Sequence, residues 1–400
     1  MLLKILALWF LISGLIIVFH ARRALPIAWM EPVLKRPVLI IESDDWGAGP
    51  DLQSESLEAI AQILAGFSDQ EGRHPVMTLG IILASADGEK IKSTGSYHRQ
   101  VISVDTHGSL LRAMHGGVES GVFSLQLHGL EHFWPPALMM ASESNKSVKD
   151  WLYSAPVSIT EDLPSHLQSR WISAASLPPK PLGNAELSRA VREEMDCFKA
   201  VFGTAPRVAV PPTFIWNKCV ETAWSEGGID VVVTPGARYE SRDGTGRPSA
   251  AGEAIYNGQV SDAGAVYMVR NTYFEPSLGH TAEMAITALD SKTSLGRPTL
   301  LETHRFNFLG SDDMKTRSME ELKRFLQRAL DKFPSLAFLS TDQLANILRD
   351  RDPAWVEQRL RIRLHFCIQR LGEIPRLRKL ALLSGWIVPA GLAWRLTGHS

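Results

Sequence analysis

Cysteine is scarce in this chain. Cys197, Cys219 and Cys367 are too few and too irregularly spaced for a disulfide framework or a thiolate metal site. Cys197 and Cys219 can pair, but free buried thiols are the plainer reading. Internal repeats and low-complexity tracts are also missing, which excludes solenoids and linker-like architectures. Net charge is nearly absent at −1, yet unevenly placed. Residues 1–36 carry five Lys/Arg against one acid and residues 351–400 nine against three, so the ends are +4 and +6 and the middle is −11. A middle of that sign is not expected to bind nucleic acid.

Long apolar runs are confined to the two ends. Leu2–Phe19 holds one charge, Lys4, in eighteen residues, close to the ~20 that cross a bilayer. The following "HARRALP" has Arg22 and Arg23 where a small-x-small cleavage site would fall, so residues 1–30 are expected to form an uncleaved single-pass anchor rather than a removed signal. Arg22, Arg23, Lys35 and Arg36 outnumber Lys4 across this run, and the positive-inside rule taken literally puts the rest of the chain in the cytoplasm. Residues 351–400 form a basic, amphipathic tail in which arginines interleave with Leu, Ile, Phe and Trp. Its fifteen-residue uncharged run, Leu380–Trp394, is broken by Gly385, Pro389 and Gly391. Two readings stay open for it: a segment lying on an anionic membrane face, or a terminal helix packed on the domain with Arg stems covering apolar surface.

Residues 31–350 read as one α/β domain. Short strand-like runs alternate with helical periodicity, the strands expected at Pro37–Ser43, Val76–Ala84, Val122–Leu127, Arg207–Val210, Ile229–Val233, Ala265–Val269, Thr299–Glu302 and Leu336–Leu339. Several are apolar throughout, as parallel strands covered on both faces are. Helices are expected at Leu52–Phe67, Ser109–Met114, Asn184–Phe202 and Met319–Phe333, the third capped by Asn184. The Ser- and Pro-rich segment 135–181 and residues 236–254 read as excursions from the core. Seven or eight strands fit a distorted TIM-like (β/α)7–8 barrel, with a doubly wound open sheet as the alternative. In a barrel the residues that follow each strand share one rim.

Those residues are chemically pointed. Strand one ends in Asp44 and Asp45, whose adjacent like charges each raise the cost of ionising the other unless a cation intervenes. Strand three ends in "HGLEHF", which sets His128 and His132 four apart, on one face if the turn is helical. Two imidazoles and one carboxylate suit a divalent cation, zinc above all, with open positions for water and substrate. "HGLEH" also matches the H-x-x-E-H of inverted zinc peptidases with Glu131 as base, although Gly129, Pro135 and Pro136 argue against the continuous helix that motif needs. Singly, an Asp pair is more often a turn or cap and a spaced His pair incidental. Their joint arrival at one predicted rim favours a site.

In this order, the Asp-Asp pair, the HxxxH, the Pro-rich turn "VPPTF" and the late "ETH" resemble the polysaccharide deacetylases, metal-dependent carbohydrate esterases built on an incomplete α/β barrel. The resemblance runs from Pro37 to Ile347. It implies a hydrolase that removes N-acetyl or O-acetyl groups from a polysaccharide or lipid-linked glycan, and it favours an extracytoplasmic location. By matching position, Asp44 is the general base, Asp45, His128 and His132 hold the metal, and His304 is the general acid. Trp46, Trp134, Pro212, Trp216, Arg270 and Asn271 are the expected substrate contacts. Two departures stand out. Trp46 precedes the glycine expected after the aspartates, and Val210 stands where an arginine is usual before the Pro turn. Arg207, Arg270 or Arg305 must then support Asp44. If none does, two readings compete: a glycosidase using Glu42 and Glu302, or an inactive glycan-binding subunit.

Overall fold

The computed structural model describes residues 2–49, 52–154, 159–250, 252 and 254–398. Its framework is a ring of parallel strands in sequence order: β1 (Val38–Gly47), β2 (Met77–Ile82), β3 (Phe123–Leu127), β4 (Val208–Ala209), β5 (Val231–Thr234), β6 (Val266–Val269) and β7 (Thr299–His304). β6 pairs with β5, and after two intervening residues Thr272–Tyr273 pair with Leu301–Glu302 of β7. One stretch of chain therefore passes from one neighbour to the other and closes the ring. A short eighth strand, β8 (Ala337–Phe338), pairs with Val38 and Leu39 at the start of β1, before β2 takes over from Ile41. All eight expected strands are present, and the open-sheet alternative is set aside.

Period-two alternation sorts β1 into two layers. Leu39 and Ile41 pack outward with Ile60 and Leu64 of the helix Gln53–Ala65 and with Leu322 and Phe325 of the helix Asp312–Lys332. Val38 and Ile40 fill the interior with Val208, Val231, Val266 and Leu300. Continuing the inward series gives Glu42 and Asp44 on β1. On β7 it gives Glu302 and His304, and Asp44 lies in register with His304. An apolar floor and a polar mouth thus come from a single alternation.

The helix Asn184–Phe202 has the expected bounds, but Gly183 occupies its cap position and Asn184 lies in the first turn without capping it. The helices Val104–Glu119 and Asp312–Lys332 both run longer than their apolar periodicity suggests. The excursion 135–181 shares a small separate core with neighbouring segments, its Leu138, Val148, Leu152, Leu163 and Leu167 clustering with Ala86, Ile91 and Phe133. Residues 239–250 make a two-stranded hairpin. All three cysteines are free.

At the bottom of the ring, where the strands begin, Arg370 is buried and donates to the backbone oxygens of Ala28, Glu31, Pro32 and Leu295 at 2.8–3.2 Å. This arginine joins the helix Leu360–Gly372 to the segment that enters β1. The apolar helix Leu2–Ala21 is long and apolar enough to cross a membrane and is almost wholly exposed.

Candidate metal centre

The mouth of the ring holds a cleft of about 210 Å³ lined by Asp44, Asp45, His128, His132, Glu302 and His304, with Pro211, Thr213, Phe214 and Phe306 beside them. Strict alternation would turn Asp45 outward, away from Asp44. The register of β1 against β2 instead shifts between Ser43 and Trp46, and Asp45 sits at φ 73°. This bulge swings the second carboxylate to the same rim as the first. Four non-glycine residues among those described have positive φ, and three of them, Asp45, Thr213 and Phe214, line this cleft. Backbone strain of that kind concentrates where structure is held for function.

Asp45, His128 and His132 present their ligand atoms to one point. Asp45 Oδ1 lies 3.3 Å from His128 Nε2 and 3.4 Å from His132 Nε2, and the two Nε2 atoms are 3.2 Å apart. Atoms bound at 2.0–2.1 Å to a tetrahedral ion are about 3.3 Å apart, so every edge of the triangle has the length a zinc-sized cation requires. Two further observations fit. His128 Nδ1 lies 2.9 Å from the Val210 carbonyl, and donating its N–H there leaves Nε2 bare toward the triangle. Asp45 Oδ1 is a buried acceptor without a hydrogen-bond donor. The expected helical turn is absent, however. His128–Phe133 is an irregular bend that pivots on Gly129 at φ 118°, and the next helix starts at Pro135. The two imidazoles meet because the chain folds back, not because of helical spacing.

Asp44 has the partner the sequence left in question. Arg270, at the end of β6, binds its carboxylate with both terminal nitrogens, Nη1 at 2.5 Å and Nη2 at 2.7 Å, and also donates Nε to Glu42. Burial pushes the Asp44 carboxyl up, but Arg270 and the nearby imidazoles outweigh it and hold it at about 2. Gly80 makes the space: a β-carbon there would fall 2.3 Å from Asp44 Oδ1. Arg207 is far from this cleft, half-exposed and paired with Asp230 at the start of β5. Arg305 instead bonds the Ala48 carbonyl and Glu161, which brings the excursion to the edge of the cleft.

Opposite Asp44, His304 Nδ1 lies 2.6 Å from Glu275 Oε1. Burial lowers the affinity of His304 for its proton, but the Glu275 hydrogen bond and the charges of Asp45 and Asp44 more than reverse this and raise it to about 10. Glu275 is itself held by Asn307. It is the main functional candidate that sequence reasoning missed, although it lies inside the segment after β6 that also supplies Arg270. Phe306, whose ring stacks on His304, was missed as well.

Several expected substrate contacts lie elsewhere. Trp46 and Trp216 are fully buried, their indole N–H groups donated to Ser43 and Glu221. Trp134 lines a separate hollow with Tyr97 and Arg99. Asn271 bridges the Pro298 carbonyl and the Leu300 amide, fastening the seam of the barrel. Pro212 is buried within its turn, while its neighbours Pro211 and Thr213 line the cleft. Glu131 is fully buried and gripped by Arg170 at 2.6 Å and Arg99 at 2.6 Å, a structural ion network outside the cleft. Glu42 is likewise held by Arg270 and Thr341.

With that geometry in place, comparison with known proteins is direct. The chain resembles polysaccharide deacetylases of known structure. A peptidoglycan deacetylase from Bacillus subtilis aligns at 9% identity and TM-score 0.37, over 80% of this chain and 95% of that one. A family 4 carbohydrate esterase from Streptomyces lividans aligns at 12% and 0.33, over 76% and 90%. A 4-α-glucanotransferase from Thermococcus litoralis also aligns, at 10% and 0.40, over 78% and 40%. No family model matches the sequence, and no curated protein does. At these identities and scores the likeness carries no argument about chemistry, which rests on the cleft itself.

Proposed function

We propose that this protein is a metal-dependent hydrolase that removes acetyl groups, N-linked before O-linked, from a polysaccharide or other glycan. The observation that carries this reading is the cleft itself: a cation-sized Asp45–His128–His132 triangle between an ionised carboxylate and a protonated imidazole. Asp45, His128 and His132 would hold a divalent cation, zinc by its donor set, which when bound would supply Lewis-acid polarisation of the acetyl carbonyl and a more acidic water.

The chain's own groups do the rest. Asp44, kept ionised by Arg270, is the base that accepts the proton of the attacking water. His304, kept protonated by Glu275, is the acid that gives its Nε2 proton to the departing nitrogen or oxygen. Arg270 thereby takes the part of the arginine missing before Pro211, which removes the sequence argument for an inactive subunit. Phe214 and Phe306 give the cleft apolar walls for the methyl and sugar-ring faces.

Acetate release from N-acetylated glycans, assayed with the metal content of the purified protein, tests this reading. Asp45→Ala is expected to lose both bound metal and activity, and chelation to abolish turnover reversibly. Full activity in the Asp45→Ala variant would refute the site, and new reducing ends without acetate would point to a glycosidase.

A further inference from the structure

Residues 375–397 make a shape that neither a surface helix nor a packing helix explains. The helices Pro375–Ser384 and Ile387–Thr397 meet at Gly385 and Trp386 with a bend of 112°, so the second returns toward the level at which the first began. Each has ten or eleven residues and is therefore about 15 Å long, half the ~30 Å hydrocarbon thickness of a bilayer. The tip of this V sits against the middle of the helix Leu2–Ala21. Trp9 donates its indole N–H to the Ser384 carbonyl at 3.0 Å, and Trp386 donates to the Phe10 carbonyl at 3.1 Å. The Trp386 and Phe10 rings meet edge to face. The first of these bonds occupies the Ser384 carbonyl at the break, where hydrocarbon would otherwise penalise an open acceptor, and the second gives the Trp386 indole at the tip an acceptor on the neighbouring helix.

Exposure follows the same plan. Leu382, Leu383 and Val388, near the tip, are 63–69% exposed, as is Leu396 near the far end at 72%, and an apolar surface of this extent suits hydrocarbon. The charges sit toward the other end of the V: Arg376, Arg378 and Lys379 lie in the first half of its entering helix and Arg395 near the end of its leaving one, and Arg22 and Arg23 follow the neighbouring helix Leu2–Ala21. From Leu360 to Thr397 there is one acidic residue, Glu373, against seven basic ones. An apolar tip a half-bilayer deep, collared by cations, has the form of a segment seated in one leaflet with anionic headgroups.

We infer that residues 375–397 form a re-entrant hairpin that inserts into the leaflet nearer the barrel and docks on the helix Leu2–Ala21. It rests on reading that helix as a retained membrane span. The pairing supports retention, because cleavage after it would remove Trp9 and Phe10 from their contacts.

The experiment uses the full-length chain in nanodiscs containing phosphatidylglycerol, with the three native cysteines replaced by alanine and one spin label at a time at Arg376→Cys, Leu383→Cys, Val388→Cys or Leu396→Cys. Labels at 383 and 388 are expected to be buried at mid-bilayer depth, with several-fold greater oxygen-to-nickel-chelate accessibility than those at 376 and 396, which should both read headgroup depth on one side. Shallow tip labels would overturn the proposal in favour of a surface helix or of packing against protein. Headgroup depth on opposite sides for 376 and 396 would overturn it in favour of a broken span. Intact mass settles the reading it rests on separately: loss of the first twenty-odd residues would refute the anchor, while the depth profile would still report on the hairpin.

Discussion

Arg270 is the residue on which the chemistry of the cleft most depends. It is buried and pairs with both Asp44 and Glu42. Arg270→Leu is expected to cost about 3–5 kcal/mol of unfolding free energy, the usual effect of stranding buried charge, and to lower kcat on the order of 10²-fold or more as Asp44 loses the cation that keeps it ionised. Chemical denaturation and steady-state kinetics read the two effects separately. Arg207→Ala removes an exposed pair and should cost under about 1 kcal/mol with kcat unchanged, so equal losses in the two variants would contradict the assignment of Arg270. Glu131→Gln separates the hydrolase from the peptidase motif. Glu131 balances Arg170 and Arg99, so the variant should lose about 1–3 kcal/mol yet keep its metal and its turnover. Near-complete loss of activity with metal retained would restore the peptidase reading.

At the scale of elements, the turn after β6 and the end of β7 act as one unit through Glu275 and His304. With His304 as the proposed acid, turnover should fall as pH rises through its folded-state value, which the Glu275 hydrogen bond helps to set high. Removing the carboxylate lowers it. The basic limb of the kcat profile of Glu275→Gln should therefore move toward acid by about 1–3 pH units, with KM little altered. A loss of activity uniform in pH would mean that Glu275 only supports the fold. The packing of β1 on β2 gives a second test. Gly80→Ala drives a methyl group into Asp44, and overpacking of this kind costs about 1–3 kcal/mol while displacing the base. A variant of wild-type kcat would show that Asp44 is not needed where it stands.

The whole molecule places its two ends and its cleft on opposite faces. The helix Leu2–Ala21 and the C-terminal helices meet the barrel where its strands begin, around Arg370, and the cleft opens where they end. The strand from Val38 to Asp45 is at most about 23 Å long at ~3.3 Å per residue, and its tilt in the barrel makes the height of the cleft above the strand starts somewhat less. With the helix Leu2–Ala21 in a membrane and the proposed deacetylase activity, this arrangement would direct the cleft to sugars that stand off the bilayer. In a lipid-linked glycan, deacetylation should accordingly fall on units remote from the lipid, and mass spectrometry of the product should find the lipid-proximal sugar still acetylated. Deacetylation of that first sugar would mean that the barrel lies on its side.

The sequence by itself determined whatever depends on local pattern. Continuous apolar runs specified all eight strands, but with residues 38–41 apolar on both faces only the structure shows that Val38 and Ile40, and hence Glu42 and Asp44, face inward. Even the spacing of His128 and His132 was legible, though not the bend that joins them. Only the tertiary structure decided what depends on chain segments meeting. Arg270 reaches Asp44 across 226 residues, Glu275 finds His304, and a one-residue bulge turns Asp45 onto the rim. Trp46 and Trp216 show the same limit from the other side, since a tryptophan beside a predicted rim reads identically whether it packs inward or faces a sugar. Alternation and hydropathy are properties of neighbours in sequence, whereas a charge pair or a buried ring is fixed by which distant surfaces the closed barrel brings into contact.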